Sequence, residues 1–231
     1  MLKKLLLLNL SILLMSMTNS IHAKTKECPI KPAFDIVVSD NSAHLVNNMK
    51  NIIIDANGMI NMNGSPRKVG NNVQQQAKNL HAFLRQQLPD LAYQSQQHLD
   101  NLRSAFKTAI RKNLGNKSKL AENLDGLYFE VKQLLQNTII TRDGVTYFYY
   151  QPFNTFKKDG EALGKKRIYK IVGNSVLHFD VFKNFSTVKT IAENEWKEQK
   201  VKLEKFDSHV CELITQIDHK YNQLILQLGQ Y

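Results

Sequence analysis

The stretch IIIDANGMINMNG, Ile52 to Gly64, carries two Asn-Gly pairs six residues apart, set between apolar runs. Such a segment is either a glycine-rich ligand loop or the bends of β-hairpins. Asn57-Gly58 suits a tight type I′ turn, in which both central residues take positive φ. That turn pairs Ile52–Asp55 with Met59–Asn63. The returning strand alternates, with Ile60 and Met62 on one face and Met59, Asn61 and Asn63 on the other. Asn63-Gly64 offers a second turn, leading into SPRKV. A phosphate-cradling loop needs a strand before it and a helix opening directly after it, and that context is missing. The stretch reads as scaffold, with Asp55 supporting its turn through its side chain.

Upstream, AFDIVVSD (Ala33 to Asp40) is a short β-branched run, so residues of about 33–69 form an antiparallel meander. Downstream the period changes. Val73, Ala77, Leu80, Leu84 and Leu88 recur at steps of four and three, which is helical. Pro89-Asp90 interrupts. A second helix, from about Asp90 to Leu114, carries Leu91, Leu99, Leu102, Phe106 and Ile110, and Gly115 fits its end. A third, from about Lys119 to Gln136, carries Leu120, Leu124, Leu127, Val131 and Leu134. Short links predict antiparallel neighbours, a helical hairpin or bundle over about 72–136.

β character returns over about 138–151. Asp143-Gly144 is a hairpin turn, with Val145, Tyr147 and Tyr149 on one face and Thr146, Phe148 and Tyr150 on the other. Pro152 closes the strand. Asn154 to Arg167 is polar and reads as a loop or weak helix, and Ile168 to Phe182 is ambiguous between strand and helix. From about 188 to 228 there is neither proline nor glycine. Trp196, Leu203, Phe206, Val210, Leu213, Ile217, Tyr221, Leu224 and Leu228 form one stripe. A continuous helix of that length runs roughly 60 Å, so it must kink, protrude or pack along other helices as a coiled coil. Asp207-Ser208 is its weakest point, and Glu198 with Lys202 supports its outer face at i,i+4. The expected fold is α+β: an N-terminal meander, a helical hairpin or bundle, a second β-hairpin and a long C-terminal amphipathic helix.

The first residues form a three-part export signal: basic Lys3-Lys4, an apolar run, and a small residue at Ala23. Cleavage after Ala23 leaves 208 of the 231 residues, expected to form one domain with no further membrane span. The removed segment holds two lysines and no acid, so the formal charge falls from +11 to +9. In a cytosolic protein that excess would point to nucleic acid. Export turns it toward anionic envelope components, lipid phosphate or lipopolysaccharide, or toward a plain solvated surface. Cys28 and Cys211 both survive cleavage. Two cysteines allow a single intramolecular bridge, the alternative being two free thiols, and an oxidising compartment favours the bridge.

Cys28 just after an export signal, the two Asn-Gly turns, Gln74-Gln75-Gln76, and Leu84-Arg85-Gln86-Gln87-Leu88-Pro89 together resemble the YggN-like family. These are exported proteins of Gram-negative bacteria grouped by a domain of unknown function. The resemblance covers about Cys28 to Ala109, and the aromatic hairpin lies outside it. It implies a periplasmic location and a β-then-helix domain. It carries over no activity and no catalytic residue.

Motifs for chemistry are sparse. GEALGKKR, Gly160 to Arg167, has three residues where a phosphate loop has four, and Lys166 stands where Ser or Thr is needed. What remains is a basic cluster, Lys157, Lys158, Lys165, Lys166, Arg167 and Lys170, beside Phe153 and Phe156. The histidines show no His-x-His or His-x-x-x-His spacing, so no metal or other cofactor is expected. Ser65 sits in a turn rather than in Gly-x-Ser-x-Gly. Tyr147 and Tyr149, on one strand face, with Lys165, Lys166, Arg167 and Lys170, are the candidate ligand-binding residues. The function expected is a non-enzymatic periplasmic binding or interaction protein whose partner is an anionic envelope component or another periplasmic protein. The alternatives are an envelope hydrolase whose dispersed site gathers residues such as His178 and Asp180, or a structural oligomer joined through the last helix.

Overall fold

A computed structural model describes residues 28–116, 119–175 and 180–229. The side chains of 119, 165–189 and 192 lie outside the described residues, as does segment 1–27, on which the export-signal reading rests. In chain order the elements are β1 (Asp35–Val38), β2 (Ser42–Val46), β3 (Asn51–Asp55), β4 (Ile60–Met62), β5 (Ser65–Arg67), α1 (Asn71–Leu114), α2 (Lys119–Thr138), β6 (Ile139–Arg142), β7 (Val145–Phe148), α3 (Tyr150–Ser175) and α4 (Asp180–Leu228). The fold is α+β, as expected.

The opening stretch is two hairpin bends, but the turn types are distributed differently from the expectation. β3 pairs with β4 through Ile52↔Met62, Ile53↔Asn61 and Ile54↔Ile60. At the first bend Gly58 has φ 81°, whereas Asn57 does not take positive φ. The Gly58 N–H donates to the Asp55 carbonyl at 3.0 Å, and the Asp55 N–H to the Met59 carbonyl at 3.0 Å. This is a three-residue loop whose last residue is left-handed, not a two-residue type I′ turn. Asp55 favours the longer loop: its Oδ1 accepts the N–H groups of Asn57 at 2.9 Å and Met59 at 2.8 Å. The type I′ pattern falls instead on Asn63-Gly64 (φ 53° and 83°) and Asp143-Gly144 (φ 51° and 75°).

The second hairpin does not stand apart. β7 pairs antiparallel with β1, Val37 opposite Tyr147, so the described strands make one seven-stranded antiparallel sheet in the order β5-β4-β3-β2-β1-β7-β6. Alternation sends Ile36, Val38, Ala43, Leu45, Ile52, Ile54 and Phe148 to one face, each no more than 1% exposed. They share a core with the α1 stripe (Val73, Ala77, Leu80, Leu84, Leu88) and the α4 stripe (Leu213, Ile217, Tyr221, Leu224, Leu228). Phe34 stacks on Tyr221 with ring centroids 4.1 Å apart. Cys28 and Cys211 lie at disulfide distance with Cα atoms 5.4 Å apart, tying the chain before β1 to α4.

Three helix expectations need correction. Pro89 does not interrupt: α1 runs unbroken for 44 residues. Proline removes one backbone hydrogen bond and crowds the preceding turn. Buried Leu84, Leu88 and Leu91 flank it on one stripe, and that packing outweighs the local penalty. Arg85, whose carbonyl loses its donor, is exposed and open to water. Pro152 does not close a strand: β7 ends at Phe148, Pro152 lies inside α3, and the segment after it takes the helical one of its two expected readings. The Tyr150 N–H is capped by Asp35 Oδ1 at 3.0 Å, and Asn154 Nδ2 donates to the Pro32 carbonyl at 3.0 Å, so β1 and its approach start α3. In α2 the buried positions are Ala121, Tyr128, Leu135 and Thr138, and the first three fall one step along from the expected stripe.

α4 continues through Asp207-Ser208 for 49 residues, roughly 70 Å long, and packs along α1. The Ser208 hydroxyl folds back onto the Glu204 carbonyl at 2.9 Å. Among the described residues, α4 carries an i,i+4 ion pair between Lys200 and Glu204 at 3.7 Å. Glu198 and Lys202 form no bridge. No described helix is long and apolar enough to cross a membrane.

Candidate functional site

Because one face of the sheet is sealed by helices, side chains of opposite parity line the other. Register places Ile140, Tyr147, Val37, His44, Ile53 and Asn61 in one row running across six strands. All six are half-buried. Tyr149 follows β7 and its ring lies nearly parallel to that of Tyr147, with centroids 6.4 Å apart and planes at 18°. His44 Nε2 lies 3.2 Å from Ser42 Oγ. The Asn61 side-chain oxygen is buried with no hydrogen-bond partner among the described residues. The row offers aliphatic and aromatic area with two polar points, His44 and Asn61.

Of the candidate ligand-binding residues, Tyr147 and Tyr149 thus stand together. Lys165, Lys166, Arg167 and Lys170 fall within α3, but their side chains lie outside the described residues. His178 and the Asp180 side chain also lie outside them. Among the described residues no three His, Cys, Asp or Glu side chains gather where they could hold a metal. His81 is buried, and its Nε2 donates to the Ser39 carbonyl at 3.0 Å, tying α1 to the sheet.

Two polar assemblies escaped sequence reading because each needs facing helices. Between α1 and α2, Asp125 accepts from Arg103 Nε at 2.7 Å and from Lys107 Nζ at 2.6 Å. The hydrogen bonds from Lys107 and Arg103 hold the Asp125 carboxyl below the usual carboxylate range and overcome its desolvation. The same Asp125 bond raises the Arg103 guanidinium further. The Tyr128 hydroxyl donates to Asp100 at 2.6 Å, and Arg103 lies 4.5 Å over the Tyr128 ring. Every charge here is engaged by a neighbour, so the assembly is a staple between helices. The Arg103/Lys107 spacing of i,i+4 was its one visible trace. The second assembly is a cavity of about 450 Å³ between α1 and α4, lined by residues that include Gln199 and Lys202.

Comparison with known proteins gives one kind of relative. The chain is 25% identical over 216 residues to the uncharacterized protein YggN of Escherichia coli strain K12, covering 86% of this chain and 89% of the relative. The YggN proteins of the CFT073 and O157:H7 strains match to the same extent. No family model and no solved structure matches. The likeness read from Cys28 to Ala109 therefore extends over most of the chain, which is similar to YggN proteins that are themselves uncharacterized.

Proposed function

We propose that this is an exported periplasmic protein that binds an envelope component without catalysing a reaction, and that the open face of its sheet is the contact surface. The observation that carries the reading is the Tyr147–Tyr149 ring pair, set in a row of half-buried side chains on the one sheet face that the core leaves free. Residues 24–231 are then one mature domain. A Cys28–Cys211 pair at bonding distance suits an oxidising compartment. The basic cluster Lys157 to Lys170 on α3, together with the formal charge of the chain, favours an anionic partner, lipid phosphate or lipopolysaccharide.

Two measurements test this. N-terminal sequencing of the protein recovered from the periplasm should begin at Lys24, and retention of Met1 defeats the export reading. Binding to phosphatidylglycerol vesicles and to lipopolysaccharide should be saturable at low salt, should weaken with added salt, and should drop in Tyr147→Ala/Tyr149→Ala. A protein that ignores both ligands at low salt, or binds them equally well without the tyrosines, has a different function.

A further inference from the structure

The cavity between α1 and α4 stands apart from the sheet face. It lies between two places where the helices close on each other. On one side Ile110 and Ile191 share an apolar cluster, and on the other His98 stacks on Phe206 with ring centroids 4.3 Å apart. Between them the lining turns polar, with His98, Asn101 and Ser104 from α1 and Gln199 and Lys202 from α4. Gln199 is only 8% exposed. Neither its amide nor the Lys202 ammonium makes a hydrogen bond or ion pair with a described residue. The Gln199 amide atoms open onto the cavity rather than being sealed away without a partner, and two packed helices ordinarily fill such a gap with apolar side chains.

We infer that this cavity is a binding site for a small amphiphile carrying an oxyanion, a carboxylate or a phosphate monoester on a short apolar body. The lining supplies a cation, two amides and a hydroxyl but no carboxylate, so it favours an acceptor-rich anion over a cation. Leu102 and Leu203 supply apolar wall for the body. The volume is within the ordinary range for small-molecule sites. Lys202 is exposed at the rim, where it meets the charged group, and Gln199 lies deeper, where its amide donates to the same oxygens.

The test is calorimetric titration of the full chain, bridge intact, with octanoate, octyl phosphate and inorganic phosphate at low salt. At least one octyl compound should bind saturably and at least tenfold more tightly than inorganic phosphate. Comparing the two octyl compounds tells a carboxylate head from a phosphate one. Lys202→Met and Gln199→Leu should each weaken that binding at least fivefold, and Tyr147→Ala should leave it unchanged. Should Gln199→Leu fail to fold, the exposed Lys202→Met decides alone. The inference is overturned if neither octyl compound binds saturably, if inorganic phosphate binds as tightly, if binding survives both cavity substitutions, or if Tyr147→Ala is what removes it.

Discussion

Gly58 is a point where the backbone of the opening stretch lies against the backbone of α1, and replacing it separates two physical terms. A Cβ built at Gly58 would fall onto the Gln74 carbonyl oxygen and within 2.9 Å of the Lys78 nitrogen. Both are backbone atoms of α1, which cannot swing aside as a side-chain tip can. Gly64 has nearly the same φ, 83° against 81°, yet nothing lies within 4 Å of its added Cβ. Gly58→Ala and Gly64→Ala therefore share the left-handed backbone penalty, about 1 kcal/mol each. Only Gly58→Ala adds overpacking against the helix, about 1–3 kcal/mol. The expected difference of about 2 kcal/mol corresponds to about 4–8 °C in melting temperature for a chain of this size. Urea unfolding of the two oxidised variants should show a lower midpoint for Gly58→Ala with unchanged slope. Equal losses, or a greater loss for Gly64→Ala, would refute the claim that the hairpin is seated on α1.

Reduction of the Cys28–Cys211 bridge opens a loop with a sequence separation of 183. The chain-entropy model puts its contribution at about 5 kcal/mol as an upper estimate. Melts with and without reductant should differ by many degrees, and coincident curves would mean that the bridge does not constrain the unfolded chain. Asp125 titrates below its unfolded value, so its contribution is complete above the unfolded pKa and disappears as pH falls through the folded one. Stability measured from pH 6 down to 2 should therefore fall less steeply in Asp125→Asn than in the parent. Gly160 lies inside α3 with open space around its Cβ position and no positive φ. Gly160→Ala should raise stability by about 0.5–1 kcal/mol, read from the urea midpoint. Leu84→Ala, at a position 0% exposed in the shared core, should lower it by about 3 kcal/mol.

What local pattern could specify was readable from the residues alone. Alternation in Met59–Asn63 and in Val145–Phe148 sorted the residues of both hairpins onto two faces, because strand parity is a property of the chain itself, and the fold decides which face is buried. Asp143-Gly144 and Asn63-Gly64 took the turn their residues favour. The α1 stripe and the end at Gly115 followed from spacing in the same way. The misses occur where a distant partner decides. Asp35 caps α3 from 115 positions away, so no capping signal precedes Tyr150 in sequence. Pro89 is carried by leucines packed against strands and α4, and the local rule against a helical proline could not include them.

The same division explains why one candidate surface was visible beforehand and the other was not. Tyr147 and Tyr149 announce themselves through period-two alternation, and the pairing of β7 with β1 only extends their face across the sheet. Gln199 and Lys202 sit on α4 among charged residues that read as a solvated helix face, and His98, Asn101 and Ser104 do the same on α1. Their character changes only when the helices are set side by side. The expected α4 stripe is followed by the fold from Phe206 onward, whereas Trp196, its first member, is 38% exposed. A stripe that loses its grip over one stretch, with polar groups facing each other there and apolar contacts resuming beyond at Ile191, is not what core packing alone selects. That interruption is why the cavity, rather than the better-filled stretches of the α1–α4 contact, is the place to look for a bound molecule.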